Sequence, residues 1–218
     1  KYIETKEQYK DCILFYRLGD FYEMFFDDAL VASKELEITL TGKSCGLEER
    51  APMCGIPYHA VEGYLSKLVS RGYKVAICEQ VEDPKLAKGL VKREVIRVVT
   101  PGTNLNVQSL EAGKNNYLLS IAYTPDGIGI SAADVTTGDY YVTEVEDLKK
   151  LNDELMKYEP SEIICNEAFL VSGFDVNDLK SRLHISVNAL ESHMFDDDGC
   201  RRILMKHFKV NTLIGLGV

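Results

Sequence analysis

The sequence has no apolar run long enough to cross a bilayer, so we predict no membrane-spanning segment. Residues 1–7 are mostly polar and charged, and they lack the apolar core of a secretory signal peptide. The sequence also lacks an initiator Met, and residues 214–218 show no helix-capping pattern. We therefore expect a piece of a longer protein.

Basic charge is not in excess either. The 218 residues contain 25 Lys and Arg against 34 Asp and Glu, which gives a net charge of −9. Residues 1–100 carry 15 basic and 16 acidic side chains, whereas residues 101–218 carry 10 and 18. Only the first half can approach phosphates without a large repulsive field, so we expect any contact with DNA to be a minor part of a larger clamp.

Close cysteine pairs are missing too. The six cysteines include no CxxC pair, and Cys45, Cys54 and His59 form the only close Cys/His group. Their spacings of nine and five residues match no common zinc pattern, and Cys12 and Cys78 lie in apolar runs. We predict reduced intracellular thiols and no metal site.

What the sequence does contain is typical of a globular α/β protein, with 45% hydrophobic and 27% charged residues. The aromatic-rich residues 12–26 predict two extended segments across a turn at Gly19-Asp20. The other predictions for the first half are an N-cap at Asp27-Asp28, a helix over 29–36, a loop over 52–57, a helix over 61–69 ended by Gly72, and strands over 73–81 and 94–100.

The second half predicts three consecutive strands followed by alternating helices and strands, which together form an α/β sandwich with a mixed sheet. The predicted strands are 117–123, 128–135, 140–145, 162–165 and 184–188, and the predicted helices are 146–158, 176–183 and 193–208. Residues 101–115 are polar and rich in Gly and Asn. We therefore predict domains over 1–103 and 116–218, joined by a linker over 104–115.

One short pattern resembles a phosphate-binding P-loop. Gly42-Lys43-Ser44 is similar to the end of that motif, whose successive backbone amides wrap the phosphates. Glu37 stands where the motif needs a glycine, and its carboxylate would repel phosphates. We attribute the triplet to chance.

Carboxylates in the second half suggest a different chemistry. Ribonuclease H-like nucleases hold divalent metals with carboxylates on three consecutive strands followed by a helix and a strand, and Asp134 and Asp139 occur in the same predicted order. Glu162 and the 196–198 run add further carboxylates. The alternative interpretation makes Asp134 a turn residue, Asp139 a strand-entry charge and the 196–198 run a helix N-terminus.

Residues 19–23 (GDFYE) are the most informative pattern in the chain. In an extended strand, Phe21 and Glu23 point to one face and Tyr22 points to the other. Proteins that bend a duplex insert Phe as a wedge between base steps, and unstacking costs least where pairing is faulty. A carboxylate beside such a wedge repels phosphate but can hydrogen-bond the edge of a base. The alternative places Phe21 in the core and Glu23 on an ordinary surface.

Five ordered segments in the first hundred residues closely resemble the MutS DNA mismatch-repair family. They are residues 15–25 (FYRLGDFYEMF), 52–60 (PMCGIPYHA), 75–80 (VAICEQ), 89–95 (GLVKREV) and 98–103 (VVTPGT). The resemblance continues more weakly through 116–218, which is similar to the family's connector domain without its last segment. The implied fold class is α/β, with a mixed-sheet mismatch-recognition domain followed by a ribonuclease H-like connector.

The resemblance implies mismatch recognition in DNA repair. Phe21 matches the family's Phe that stacks on a mispaired or unpaired base in kinked duplex. Glu23 matches the Glu that hydrogen-bonds this base, and Met53 lies in the loop that approaches the minor groove near the lesion. The candidates for contacts with the DNA backbone are Lys43, Arg71 and Arg97.

The resemblance also implies that this chain is not itself an enzyme. Family proteins hydrolyse ATP with Mg²⁺ in a C-terminal P-loop domain, and the lever, clamp and ATPase portions are absent from these 218 residues. The expected partners are mismatched double-stranded DNA, MutL and, in the full-length protein, a second MutS subunit. The connector is expected to pass signals to the ATPase and to help receive MutL, in the bacterial cytoplasm at the nucleoid. A metal-dependent nuclease is the alternative function.

Overall fold

The computed structural model describes residues 1–44, 46, 49–82, 89, 91–105 and 114–217. The chain divides into two compact units, Lys1–Lys114 and Asn115–Val218. Cys45 and residues 106–113 of the predicted linker lie outside the described residues.

The first unit is built on a mixed sheet. Its described elements are α1 (Tyr2–Gln8), β1 (Cys12–Leu18), β2 (Phe21–Phe25), α2 (Phe26–Leu36), β3 (Thr41–Lys43), β4 (Ala51–Pro57), α3 (Val61–Val69), β5 (Lys74–Gln80) and β6 (Arg93–Val99). The described strands form one sheet in the order β3-β4-β2-β1-β5-β6. The β1 and β5 strands run parallel, and the other neighbouring strands run antiparallel.

Helices cover this sheet on both faces where β1 crosses its centre. Ile13 and Phe15 point toward α2 and α3 and belong to the main core, together with residues of β2, β4 and β5. Leu14 and Tyr16 point the other way, where Tyr2 of α1 packs against Tyr16 with ring centres 5.5 Å apart. This burial on both sides explains why β1 is a continuous apolar run rather than an alternating one.

The predicted N-cap at Asp27-Asp28 is wrong, because α2 begins before these two residues and no side chain caps it. The Asp28 carboxylate is buried instead. It accepts hydrogen bonds from the Leu14 amide at 3.0 Å, the Tyr2 hydroxyl at 2.9 Å and the Lys6 ammonium at 2.8 Å. The carboxylate thus ties α1 to β1 and α2, a long-range role that a local capping pattern does not reveal.

The predicted loop over 52–57 is also wrong, because Ala51–Pro57 form the strand β4 between β2 and β3. Its glycine and prolines are uncommon in strand interiors and therefore predict a break. Cys54 and Ile56, however, alternate into the main core. Among the described elements, the sequence did not predict α1, β3 or a short helix at Glu167–Leu170.

The second unit follows the predicted order of strands and helices. Its described elements are β7 (Tyr117–Thr124), β8 (Gly127–Asp134), β9 (Asp139–Val145), α4 (Leu148–Tyr158), β10 (Glu162–Cys165), α5 (Glu167–Leu170), α6 (Val176–Arg182), β11 (Ser186–Ala189) and α7 (Asp197–Phe208). The sheet order is β11-β10-β7-β8-β9. An antiparallel meander of β7, β8 and β9 is extended by β10 and β11, which run parallel to β7.

The core of the second unit lies between this sheet and the helices. Leu119, Ile121 and Ile163 of the sheet pack with Leu151 and Leu155 of α4. The arrangement agrees with the predicted ribonuclease H-like sheet, and the predicted α/β class with mixed sheets is confirmed for both units. None of the helices in the described part of the chain is long and apolar enough to span a membrane.

Candidate nucleic-acid interface

The turn between β1 and β2 places the candidate wedge at one end of the first sheet. Gly19 has a φ of +60°, a left-handed conformation that glycine adopts without steric cost. The Nε atom of Arg17 donates to the Gly19 carbonyl at 2.5 Å, and the Tyr58 amide donates to the Asp20 carbonyl at 3.0 Å. Both hydrogen bonds hold the turn in one position.

Phe21 is the first residue of β2, and its side chain projects from the sheet. It lies opposite Leu18 on one neighbouring strand and Pro57 on the other, and it is 47% exposed. The next residue, Tyr22, is buried in the main core. Phe21 is therefore not a core residue, and the alternative that placed its ring in the core is wrong.

Glu23 lies on the same face as Phe21, two residues along β2. Its side chain is 16% exposed, and its Oε2 atom forms an ion pair with Lys43 Nζ. Because Lys43 belongs to β3 and the sheet order is β3-β4-β2, the lysine side chain reaches across β4. The ammonium balances the carboxylate charge beside the exposed ring.

The third candidate for mismatch contacts, Met53, lies on the neighbouring strand β4. It is the cross-strand partner of Phe25, and Gly55 is the partner of Glu23. Because cross-strand partners point to the same face, Met53 shares the face of Phe21 and Glu23. Two adjacent strands therefore bring the three candidate residues together on one face of the sheet.

A cluster of side chains on the opposite face of the sheet, the face of Tyr22, holds the turn between β1 and β2. The Tyr22 hydroxyl donates to Glu79, and Arg17 Nη1 donates to the same carboxylate at 3.3 Å. The Arg17 guanidinium also stacks on Tyr58, 3.7 Å from the ring centre. Burial, together with the Glu79 carboxylate, raises the pKa of Tyr22, so its hydroxyl remains a donor. Sequence reasoning missed Arg17 and Glu79 because only the parallel pairing of β1 and β5 brings them together.

The three candidates for contacts with a DNA backbone occupy different places. Arg71 follows α3 and pairs with Glu35 of α2 in the helix layer. Arg97 is the cross-strand partner of Ile77, whose side chain belongs to the helix-side core. Of these three residues, only Lys43 lies on the sheet face of Phe21 and Glu23.

The carboxylates of the second unit are engaged in structural hydrogen bonds. Asp134 is 1% exposed and accepts from the Asn116 amide at 2.9 Å and from the Thr136 amide and hydroxyl at 2.8 and 2.6 Å. Its cross-strand partner Asp139 accepts from the Thr137 hydroxyl at 2.8 Å. Among the described residues, no three His, Cys, Asp or Glu side chains are arranged to hold a metal ion. The nuclease alternative has no support, and Asp134 is the turn residue of the other interpretation.

The acidic run at 196–198 begins a helix, as the same interpretation predicted. Asp196 is the N-cap of α7 and accepts from a backbone amide of the first turn at 2.8 Å. The next two carboxylates lie within that turn, where the helix dipole favours negative charge.

The described cysteines are free thiols. Burial raises the pKa of Cys12, Cys54 and Cys78 to about 11, which keeps these thiols protonated and poorly nucleophilic. Cys54, one member of the only close Cys/His group, donates to the Ala29 carbonyl at 3.6 Å.

Acidification is expected to destabilise the second unit through Asp134. Burial opposes ionisation of this carboxyl group, but hydrogen bonds from Thr136 and Asn116 outweigh burial and lower its pKa. Because the folded pKa lies below the unfolded one, the stabilisation is complete above about pH 4 and is lost as the pH falls through the folded pKa.

The measurement is hydrogen-exchange protection of the amides in β7 and β8. At pH 7, Asp134→Asn should lower this protection by about 1–2 kcal/mol, since the amide side chain replaces one acceptor oxygen by a donor. The difference from the unchanged chain should shrink as the pH approaches 3. Equal protection at neutral pH would contradict the role of Asp134.

An exposed aromatic ring on the face of a sheet is a feature of α/β domains that stack on nucleic-acid bases. Two family models match the chain, MutS domain I over residues 1–108 and MutS domain II over residues 116–218. The chain belongs to the MutS family.

Several relatives match along nearly the whole chain, and each is called DNA mismatch repair protein MutS. The protein of Lachnoclostridium phytofermentans is 68% identical over 218 residues, 100% of this chain and 23% of the relative. Those of Ruminiclostridium cellulolyticum and Acetivibrio thermocellus are each 54% identical, over 98% and 96% of this chain and 25% and 24% of the relatives. The chain thus spans about a quarter of the length of the curated relatives it matches.

Proposed function

We propose that this chain recognises mispaired or unpaired bases in double-stranded DNA as part of a mismatch-repair protein. The observation that carries the proposal is the Phe21 ring, which is half exposed beside Glu23 on a strand that is paired on both sides. A surface ring of this kind loses contact with water when a base stacks on it, and the pairing of its strand reduces the entropy lost on binding.

The proposed mechanism is readout of DNA shape. A mispaired base stacks poorly, so the duplex around it kinks at a lower energetic cost than fully paired duplex. Phe21 enters the base stack at the mispaired position and stacks on the exposed base. The kink lets more of the protein surface meet the duplex. Paired DNA resists the same distortion, and the difference in deformation energy gives the selectivity.

The neighbouring side chains refine this readout. Glu23 hydrogen-bonds the edge of the stacked base, and Met53 meets the minor groove next to it. Lys43, which shares their face, is the proposed contact with the DNA backbone. Arg71 and Arg97 lie toward the helix layer, and we do not assign them this role.

The second unit is proposed to act as the connector between DNA recognition and functions elsewhere in the full-length protein. It would pass signals to an ATPase domain and help to receive MutL. ATP and Mg²⁺ would bind outside this chain, which has no proposed catalytic role. A second subunit would complete the clamp around DNA, in the bacterial cytoplasm at the nucleoid.

The test compares a duplex that contains one mismatch with the same duplex fully paired. Binding of the full-length protein is measured by fluorescence anisotropy at fixed salt. A preference for the mismatched duplex that is lost when Phe21 is replaced supports the proposal. Equal affinities for the two duplexes in the unchanged full-length protein contradict it.

The 218-residue chain by itself is expected to bind mismatched duplex weakly. Its net charge is −9, and the proposed interface offers few cations to phosphates. The dependence of log K on log salt should be shallow, since each neutralised phosphate contributes roughly −0.9 to the slope on B-DNA. Titration at several salt concentrations measures this slope, with the full-length protein as control. Nanomolar, mismatch-selective binding by the monomeric chain is the contrary result.

A further inference from the structure

Gly55 stands in the middle of β4, directly opposite Glu23. Its backbone does not require glycine, because its φ is outside the left-handed region that other glycines of the chain adopt. A glycine inside a strand weakens the sheet, since it has no side chain to pack and loses more conformational freedom on folding. The presence of glycine here therefore needs a reason other than backbone geometry.

Steric crowding around position 55 does not explain why the residue there is glycine. A β-carbon added to Gly55 would lie 3.4 Å from the Tyr22 carbonyl oxygen, 3.6 Å from Glu23 Cγ and 3.8 Å from Phe21 Cδ1. These are ordinary van der Waals distances, so an alanine fits without displacing its neighbours. The missing methyl group instead leaves a recess above the Gly55 Cα that is bordered by both the Phe21 ring and the Glu23 side chain.

We propose that Gly55 is a specificity-determining residue whose bare Cα forms the floor of this recess and admits the edge of an unstacked nucleotide base between Phe21 and Glu23. Side chains two residues apart on a strand are separated by about 7 Å. A base that stacks on the ring therefore reaches the carboxylate only if nothing rises between them. A methyl group at position 55 would touch both walls and lift the base away from Glu23.

This inference rests on the proposed function, and its test uses the full-length protein. Gly55→Ala should weaken binding to mismatched duplex about tenfold, the effect of losing roughly one hydrogen bond. Gly55→Val should weaken it further, because its two methyl groups fill more of the recess. Binding to fully paired duplex should stay the same, since a duplex that remains stacked does not enter the recess.

Gly63 provides a matched control, because it lies on the exposed side of α3 with no atom within 4 Å of an added β-carbon. Both Gly63→Ala and Gly55→Ala should preserve or raise the midpoint of urea unfolding, since alanine is favoured over glycine in helices and strands alike. Only Gly55→Ala should change the ratio of mismatched to paired affinity. A lower unfolding midpoint for Gly55→Ala would show a structural role and overturn the inference.

Phe21→Ala separates the inference from the function on which it rests. If Phe21→Ala removes mismatch preference and Gly55→Ala retains it, the recess is not used and the inference fails while the function stands. If both variants bind like the unchanged protein, the proposed function itself fails. A loss of preference in both variants, with folding intact, is the expected result.

Discussion

Phe21→Ala in the full-length protein is expected to weaken binding to mismatched duplex by about 5- to 140-fold. This range corresponds to roughly 1–3 kcal/mol for an aromatic ring that stacks on one base. Binding to fully paired duplex should change much less, because the ring does not enter a duplex that stays stacked. Anisotropy titrations of both duplexes at one salt concentration measure the two effects.

Folding should be nearly unaffected by the same substitution. The Phe21 ring is half exposed, so its removal should lower the free energy of unfolding by about 1 kcal/mol or less. Phe15 on the neighbouring strand is fully buried, and Phe15→Ala should cost about 3–5 kcal/mol. If Phe21→Ala destabilises the protein as much as Phe15→Ala, the ring supports the core and the wedge proposal is wrong.

The hairpin of β1 and β2 was predictable because the sequence patterns that indicate it are local. A Gly-Asp turn between two aromatic-rich segments indicates a reversal of the chain, and the two-residue period of a strand then separates Phe21 and Glu23 from Tyr22. The structure has this turn and this alternation of faces. The meander of the second unit was predictable for the same reason, since turn residues separate its three strands.

The environment of the wedge was not predictable, because it depends on pairing between distant segments. The ion pair between Lys43 and Glu23 forms only when β4 lies between their strands, and residues 52–57 predict a loop there. The contact between Arg17 and Glu79 needs the parallel pairing of β1 with β5. Tertiary pairing thus overrides the local preference of glycine and proline in β4.

The resemblance to the MutS family supplied the proposed roles of individual side chains, and the fold reduces the number of candidates for contacts with the DNA backbone. Among the three basic candidates, Lys43 alone shares the face of the wedge, whereas Arg71 is paired with Glu35. Residue type and sequence neighbourhood cannot separate these lysines and arginines, since all three lie in the first half of the chain. The register of the strands separates Lys43 from Arg97, and the ion pair with Glu35 in the helix layer sets Arg71 apart.

Glu23→Gln and Glu23→Ala are expected to affect DNA binding differently. If Glu23 acts only as an anion, either substitution should relieve phosphate repulsion and tighten binding to both duplexes alike. If it bonds a base, glutamine can still donate or accept at that edge, and mismatch binding should largely survive. Paired duplex should then bind more tightly, so discrimination falls. Alanine should weaken mismatch binding by about 1.5–3 kcal/mol, the range for hydrogen bonds to charged groups.

Lys43→Met distinguishes the base contact from the ion pair. Lys43→Met and Glu23→Gln both remove the ion pair between these two side chains. Lys43→Met, however, keeps the Glu23 carboxylate and removes a positive charge from the proposed DNA interface. Binding to both duplexes should therefore weaken after Lys43→Met, whereas Glu23→Gln should tighten binding to the paired duplex. If the two substitutions shift both duplexes in the same direction and by similar amounts, Glu23 serves only to hold Lys43. Opposite shifts on paired DNA, with mismatch binding largely kept in Glu23→Gln but weakened in Glu23→Ala, are the expected result for a carboxylate that reads the base.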